Sequence, residues 1–422
     1  MKHFERQFAT LLGADHEPAS LQQLRQTAFD RFKEIGFPQP SWEAWRFTSV
    51  KRLEQSCFRL STTNDLPPLS KEINESGIPT LLFVNGHYQP DHSKQPMGVI
   101  VRTLIESYNE DAKLVTNGYD AGQSPFAVLN TAMMNNGLHV SFTKEFSSNS
   151  TVRFLYLTTE LSEPIMNHPR LLVDVADGSE ATIVEEYRGD SEHPYWNNTL
   201  TTFRAGRNSQ LNHIRIQFEA ESASHLSTTF YHVPTDGAVN GSYLSAGSAL
   251  HRHDVNVVLA GDGADVSVNG LCLTKGSQHA DHNIVMDHAF EQVTSRILFK
   301  YILADKSSGV FNGRAVVRQD AQKIDANQTN NNLLLSSNAL MNSNPQLEIY
   351  ADDVRCTHGS TTGQISDDAL FYLRSRGLDT AAAKALLING FANEVVEEIK
   401  DDTVQSYTRD ILETWLEGVN RG

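Results

Sequence analysis

From about residue 151 onward, and for some two hundred residues, the sequence is a succession of short β-branched or alternating runs with no convincing long helix among them. Val152–Leu157, Leu171–Val175, Ala181–Val184, Leu211–Phe218, Val255–Leu259 and Val266–Leu273 carry this texture. Turn signals separate them at Asp177-Gly178, Ala205-Gly206, Asp236-Gly237 and Gly261-Asp262-Gly263, roughly 26 to 31 residues apart. A recurring unit of that length fits a stack of similar coils. It argues against a doubly wound α/β fold and for a β-solenoid or a large sandwich, between which periodicity alone does not choose.

Helical patterns flank this region. Within Glu17–Ile35, Leu21, Leu24, Ala28, Phe32 and Ile35 recur at three- and four-residue steps, and Gly36 and Pro38 end the pattern. The following Trp42–Thr48 concentrates aromatic residues beside charges, as either a recognition surface or, the favoured reading, a packed loop. After Ile365, Ser366 is an N-cap with Asp367 and Asp368 behind it, and Gly377 is placed to close that helix. Further helical segments run through Ala381–Asn389 and Phe391–Ile399. A last one carries Ile411, Leu412, Trp415, Leu416 and Val419 at helical spacing. These helices serve either as solenoid caps or as a docking surface, with Trp415 as a candidate interface anchor. The expected division is an N-terminal mainly helical region at 1–110, a β core at 111–360 and a C-terminal helical domain at 361–422.

The 422 residues carry a net charge of −16, which disfavours nucleic acid and anionic membrane as partners. No apolar run is long enough to span a membrane, and the polar start is unlike a secretory signal, so a soluble, cytoplasmic protein is expected. The phosphate-cradling motif, the nucleophile elbow and the His-Glu-x-x-His helix are all absent, which predicts a chain with no ATPase activity of its own and no standard enzyme signature. Cys57, Cys272 and Cys356 are widely separated, speaking against disulfides and against a self-contained zinc site. A metal or cluster held here would therefore borrow ligands from another chain.

Two segments carry candidate chemistry. Gln278–His288 holds His279, Asp281, His282, Asp287 and His288, residue types that bind zinc, iron or manganese, although a polar ladder or turn-stabilising hydrogen bonds, the favoured reading, account for the cluster without any metal. In Glu348–Gly363, Cys356 and His358 lie two apart and would share one face of a strand, offering a thiolate and an imidazole side by side. Arg355 and the nearby glycines are expected to lower the thiol's pKa. A buried Cys beside a hydrogen-bonded His is the bland alternative.

Gly309-Val310-Phe311-Asn312-Gly313-Arg314, Asp320–Ala326, Asn332–Ser336, Glu348–Gly363 and Ala369–Gly377, in that order, resemble the SufB/SufD family of iron–sulfur cluster assembly proteins. The likeness is specific from about Gln278 to Glu398 and looser elsewhere. Overall length, the Cys356-Thr357-His358-Gly359 form and the scarcity of cysteine favour the SufD branch. The resemblance implies a right-handed parallel β-helix core flanked by N- and C-terminal helical regions. It also implies a non-ATPase scaffold in a SufB–SufC–SufD complex, with a SufB-like subunit on the β-helix core and a SufC-like ATPase on the C-terminal helices. A homodimer is the alternative when the chain is alone. Cys356 and His358 would then be ligands, shared with the partner, of iron or a transient iron–sulfur cluster. Two rival readings stay open: a β-helix carbohydrate-active enzyme, and a metal-dependent hydrolase using His279, Asp281 and His282.

Overall fold

A computed structural model describes residues 1–13, 17–69, 77–111, 124–148, 150–159 and 162–421. The expected start of the β core at residue 111 runs into residues 112–123, which lie outside the described residues.

The recurring unit of the sequence is a coil with two strands, one in each of two facing sheets. The first sheet runs, neighbour to neighbour, through Leu340–Ile349, Ser308–Val317, His279–His288, Leu250–Leu259, Ser224–Val233, Tyr195–Arg204, Pro169–Val175, Asn136–Phe142 and Val99–Thr103. The second runs through Val354–Gln364, Ile324–Leu334, Thr294–Leu303, Asp265–Thr274, Ala238–Gly247, Gln210–Glu219, Glu180–Gly189, Thr151–Thr158, Thr80–Val84 and His87–Tyr88. Pairing between successive coils is parallel, with Ser224 opposite Leu250 and Ser308 opposite Leu340, steps of 26 and 32 residues. The architecture is a parallel β-solenoid of about eight turns with helices at both chain ends. The sandwich alternative falls, because a sandwich is built from antiparallel strands.

Turn chemistry explains the coil corners. At the Ala205-Gly206 corner a Cβ on Gly206 would come within 2.5 Å of the Asp177 backbone nitrogen in the preceding coil. Only glycine lets stacked corners approach so closely. Asn208 and Asp236 adopt left-handed φ of 52° and 54° at these bends, a conformation Asn and Asp tolerate better than other residues.

The outer faces of both sheets are covered. The N-terminal helices, with Phe4, Phe29, Phe32, Trp45 and Phe126, pack over Trp196, Leu226 and Leu250 of the first sheet. The C-terminal helices Thr380–Val396 and Asp402–Arg421 pack Ile388, Val395, Ile411, Leu412 and Trp415 over Ile214, Ile216, Leu244, Leu271 and Ile302 of the second. They cover its flank and leave the solenoid's end open. Trp415, read from sequence as an interface anchor, is only 4% exposed and serves this intramolecular contact. Residues 381–399 do not form two segments: one helix continues through Gly390 to Val396, stabilised on the solenoid by Lys300, whose ammonium donates to the Phe391 carbonyl at 2.8 Å. The Trp42–Thr48 segment is a packed loop. Trp45 lies on the Arg252 guanidinium at 3.7 Å, and Arg252 donates to the Ala44 carbonyl at 2.9 Å.

Beside its apolar cluster, part of the lumen is polar. In His213-Ile214-Arg215-Ile216-Gln217 the isoleucines lie under helices, while His213, Arg215 and Gln217 are buried inside the solenoid. Burial pushes His87, His168, His225, His251, His253, His279, His282 and His288 below the ordinary imidazole range, His168 and His282 to about 3. These rings are neutral in the fold and would be protonated below about pH 6.5 in the unfolded chain. The unfolded state therefore binds more protons, and stability present above about pH 6.5 is lost as pH falls. Each such histidine contributes up to about 1.4 kcal/mol per pH unit. Urea denaturation should show the midpoint dropping steadily between about pH 6.5 and 5, well before ordinary carboxylates titrate; a flat profile over that window would contradict neutral burial.

Candidate functional site

The strand Val354–Gln364 is the last of the second sheet and pairs on one side only, with Ile324–Leu334. Residues alternate across a strand, so Cys356, His358 and Ser360 share the face that belongs to the lumen, and Arg355 and Thr357 the outer one. Register confirms the column. Cys356 lies opposite buried Ala326, His358 opposite buried Gln328, and Ser360 opposite buried Asn330. Ser360 Oγ donates across the lumen to Ser343 Oγ at 2.8 Å, tying the last strands of the two sheets together.

The two candidate ligands are thus on one face, as the spacing predicts, at the open end of the solenoid. Cys356 is half-buried against the apolar core and His358 is exposed. Gly359 and Gly363 alternate onto the outer face with Arg355 and Thr357, and neither has a neighbour within 4 Å of where a Cβ would stand, so that face of the strand is uncovered. Under His358, Gln328 donates its Nε2 to the Gly313 carbonyl at 3.1 Å, and its Oε1 is buried without a hydrogen-bond partner.

The expected activation of the thiol is overturned. Burial pushes the Cys356 pKa up, and the Asp325 carboxylate adds to the rise. Arg355 cannot oppose this because strand alternation sends its side chain to the other face, in register with Asp325. Cys356 is therefore a thiol at neutral pH, and binding a metal there requires losing its proton.

The histidine-rich strand behaves differently. Asp281 accepts from Arg252 and from Thr48 Oγ1 at 2.5 Å, and His279 Nε2 contacts Thr48 Oγ1 at 2.9 Å, so both fasten the N-terminal loop to the outer face. His282 points the other way, with Tyr301 OH on Nδ1 at 2.7 Å and Ser245 Oγ on Nε2 at 3.2 Å. His288 contacts Ser295 Oγ at 2.8 Å. His279, Asp281 and His282 do not converge, because alternation places them on opposite faces of one strand. Among the described residues no group of three or more His, Cys, Asp or Glu side chains is arranged to hold a metal ion. Sequence reading passed over the lumen groups Glu185, His213, Arg215, Glu219 and His225, although polar residues at every second position of a strand otherwise bounded by isoleucine were a usable signal.

Alkylation tests the site as described. Cys57 is exposed and Cys356 half-buried with a raised pKa, whereas Cys272 is enclosed and its thiol pushed far up by burial. With iodoacetamide at neutral pH, Cys57 should react first, Cys356 several times more slowly with a midpoint above the ordinary thiol value of about 8.5, and Cys272 only on unfolding. Peptide mass spectrometry over a pH series reads all three, and a Cys356 faster than Cys57 would refute the electrostatic assignment.

Comparison with known proteins matches the sequence to a family. Residues 156–391 match the SUF system FeS cluster assembly, SufBD core domain, and residues 1–154 match the SufBD protein N-terminal region. An iron–sulfur cluster assembly SufBD family protein of Synechocystis is 30% identical over 410 residues, covering 93% of this chain and 90% of its own length. The iron–sulfur cluster assembly protein SufD of Escherichia coli is 29% identical over 394 residues, with 92% and 90% covered. That of Bacillus subtilis is 25% identical over 421 residues, with 94% of each covered. With both stretches matched in order and relatives aligned over nearly their whole length, this chain belongs to the SufB/SufD family of iron–sulfur cluster assembly proteins.

Proposed function

We propose that the chain is a non-catalytic scaffold subunit of a SufB–SufC–SufD assembly, in which Cys356 and His358 supply part of a ligand set for iron or a nascent cluster and a SufB-like partner supplies the rest. The observation that carries this reading is the open terminal coil: Leu340–Ile349 and Val354–Gln364 are the outermost strands of the two sheets, with one edge each unpaired. Bare strand edges are pairing surfaces that isolated proteins usually blunt. Here they run beside two metal-binding side chains, too few to hold iron alone. A cluster on such a site is cargo, assembled and passed on. Without its partner the same edge would pair with a second copy of this chain. The three unpaired cysteines fit a reducing cytoplasm.

In this reading residues 111–360 form the pairing core and residues 361–422 dock a SufC-like ATPase. Support comes from the helix Asp367–Ser375, which has no buried residue and presents Phe371 at 74% and Tyr372 at 56% exposure, with Leu386 on the next helix at 52%. Exposed aromatics clustered on one element mark protein-binding surfaces.

His358→Ala combined with Cys356→Ala should abolish maturation of iron–sulfur enzymes in cells that depend on this chain, while the purified variant keeps its melting temperature and its partner. His282→Ala is the control: it removes a buried ring bonded on both nitrogens, so it should lower stability by about 1–3 kcal/mol before any selective effect on assembly appears. Normal maturation in the double variant would leave the pair a structural role only. For docking, Phe371→Ala with Tyr372→Ala should weaken ATPase-subunit binding by about 2–4 kcal/mol in titration calorimetry with folding unchanged. Unchanged affinity would move the docking surface elsewhere. Point substitution is preferable to deletion after Asp379, which would strip the cover from Leu271, Leu273 and Ile302.

A further inference from the structure

A chain of four side chains deep in the lumen takes no part in the proposed ligand set; its redox chemistry stands by itself, and only the source of oxidant at the open end rests on that reading. Glu185 Oε1 accepts from Thr201 Oγ1 at 2.6 Å, and its Oε2 faces His213 Nε2 at 3.1 Å. The other nitrogen of that ring, Nδ1, makes a short hydrogen bond with Tyr231 OH, and Tyr231 OH lies 2.7 Å from Tyr243 OH. All four residues are at most 2% exposed. Burial pushes Glu185 upward, but the hydrogen bonds from His213 and Thr201 and the Arg215 charge oppose it, and the net shift is downward. Glu185 is thus a carboxylate, with Arg215 in register on the adjacent strand to balance its charge.

These facts fix the proton directions. A carboxylate only accepts, so His213 Nε2 carries the hydrogen that points at Glu185. In the neutral tautomer with its hydrogen on Nε2, the ring offers a lone pair at Nδ1; Tyr231 then donates to it and Tyr243 donates to the Tyr231 oxygen. Burial holds the Tyr231 phenol pKa well above its usual value, so it does not ionise by itself. A phenol that loses an electron becomes a strong acid, and this one already has its proton aimed at a base backed by a carboxylate.

We propose that Tyr231 is a redox-active tyrosine: a one-electron oxidant takes an electron from the Tyr231 ring, the O–H bond breaks, and the proton moves to His213 Nδ1, leaving a neutral tyrosyl radical beside an imidazolium held by Glu185. The oxidant gains the electron and the proton stays inside the protein. Reduction by one electron returns the proton along the same bond. The oxidants that suit this step are high-potential species of the kind formed when iron meets peroxide, and no substrate need enter the lumen, because only an electron travels. Aromatic rings line a route outward. Phe203 stacks on Tyr231 at 5.2 Å, Tyr243 lies 6.4 Å from Phe299, and Phe299 lies 5.4 Å from Phe311, whose strand neighbour in the terminal coil is Ser343. Gly270 makes room for this file, since a Cβ there would stand 2.2 Å from the Phe299 ring. The chain would act as a sink for oxidising equivalents arising at the open end.

The test uses the full-length chain, flash-photolysed with ruthenium tris-bipyridine and a cobalt(III) acceptor and read by freeze-quench electron paramagnetic resonance. Wild type should give a long-lived tyrosyl signal that survives after exposed tyrosyl radicals have recombined. Tyr231→Phe should remove that long-lived fraction, and His213→Gln should lower its yield by about a hundredfold, the scale of a positioned base. Tyr243→Phe keeps the Tyr231–His213 pair and removes the hydrogen bond to the radical oxygen, so the signal should persist with a raised gx at high field. A merely structural network would not move gx. A long-lived radical undiminished in folded Tyr231→Phe or His213→Gln overturns the proposal. If those variants do not fold, an unshifted gx in Tyr243→Phe overturns it by placing the radical elsewhere.

Discussion

Parallel hydrogen bonding between successive coils governs the molecule. A strand in such a stack satisfies its backbone groups only through the coils before and after it, so each coil depends on two neighbours and the stack must end somewhere. The two ends are treated differently. At the N-terminal end, Val99–Thr103 pairs antiparallel with Asn136–Phe142, and Thr80–Val84 pairs antiparallel with His87–Tyr88, so the direction that would propagate the stack is reversed. At the other end, Leu340–Ile349 and Val354–Gln364 continue the parallel pattern to a bare edge. The asymmetry gives the protein one growing face, and Cys356 and His358 sit on it.

Covering both sheets with helices puts apolar residues on both faces: the lumen keeps an apolar cluster with Val255, Val257, Val266, Val268 and Phe299, and further apolar residues lie outside. In an uncovered two-sheet coil, apolar residues would fill the lumen and polar ones face water. Here Ile214, Ile216, Leu271 and Ile302 are needed outside, beneath the C-terminal helices, and part of the lumen is left to Arg215, Glu185, Glu219 and histidines. Buried charge is tolerable only when compensated, and it is: Glu185 accepts from Thr201 and His213 with Arg215 on the adjacent strand, and Glu219 accepts from Asn197 and Gln217. Arg252 does the same for the N-terminal region, held between Asp254 and Asp281 with the Trp45 ring on its guanidinium. The solenoid's polar residues thus attach its flanking domains and rigidify its interior.

What was legible in the sequence was whatever depends on local pattern. Turn spacing announced the coils, Ser366 was readable as a cap and does accept the Ala369 amide, and the two-residue step from Cys356 to His358 correctly placed them on one face. What was not legible depends on which surface each face meets. Trp415 looked like an anchor for another protein because its stripe is apolar, and nothing local says that the stripe closes on its own solenoid. Gly390 looked like a break between helices, yet tertiary packing on Lys300 overrides its low propensity. The thiol of Cys356 was expected to be activated by Arg355, an inference from sequence adjacency that strand alternation defeats. The rival metal site of His279, Asp281 and His282 fails for the same reason: neighbours along a strand face opposite ways.

The raised thiol and the bare edge bear on each other. A half-buried thiol held protonated is a poor ligand in the isolated chain, so metal bound here must bring enough favourable coordination to expel that proton, and one cysteine with one histidine provides too little. In the proposed assembly, added donors from a chain docked on the same edge would change the balance and tie ligand competence to assembly. The chain path reinforces this coupling. Only Ile365 and Ser366 separate the strand carrying Cys356 and His358 from the exposed helix Asp367–Ser375, and Ser366 is itself fixed as that helix's cap. A connector this short, with one residue capped, has little slack to absorb motion. A partner docked on the exposed aromatic helix would therefore act close to the terminal strand, which is held on one edge only.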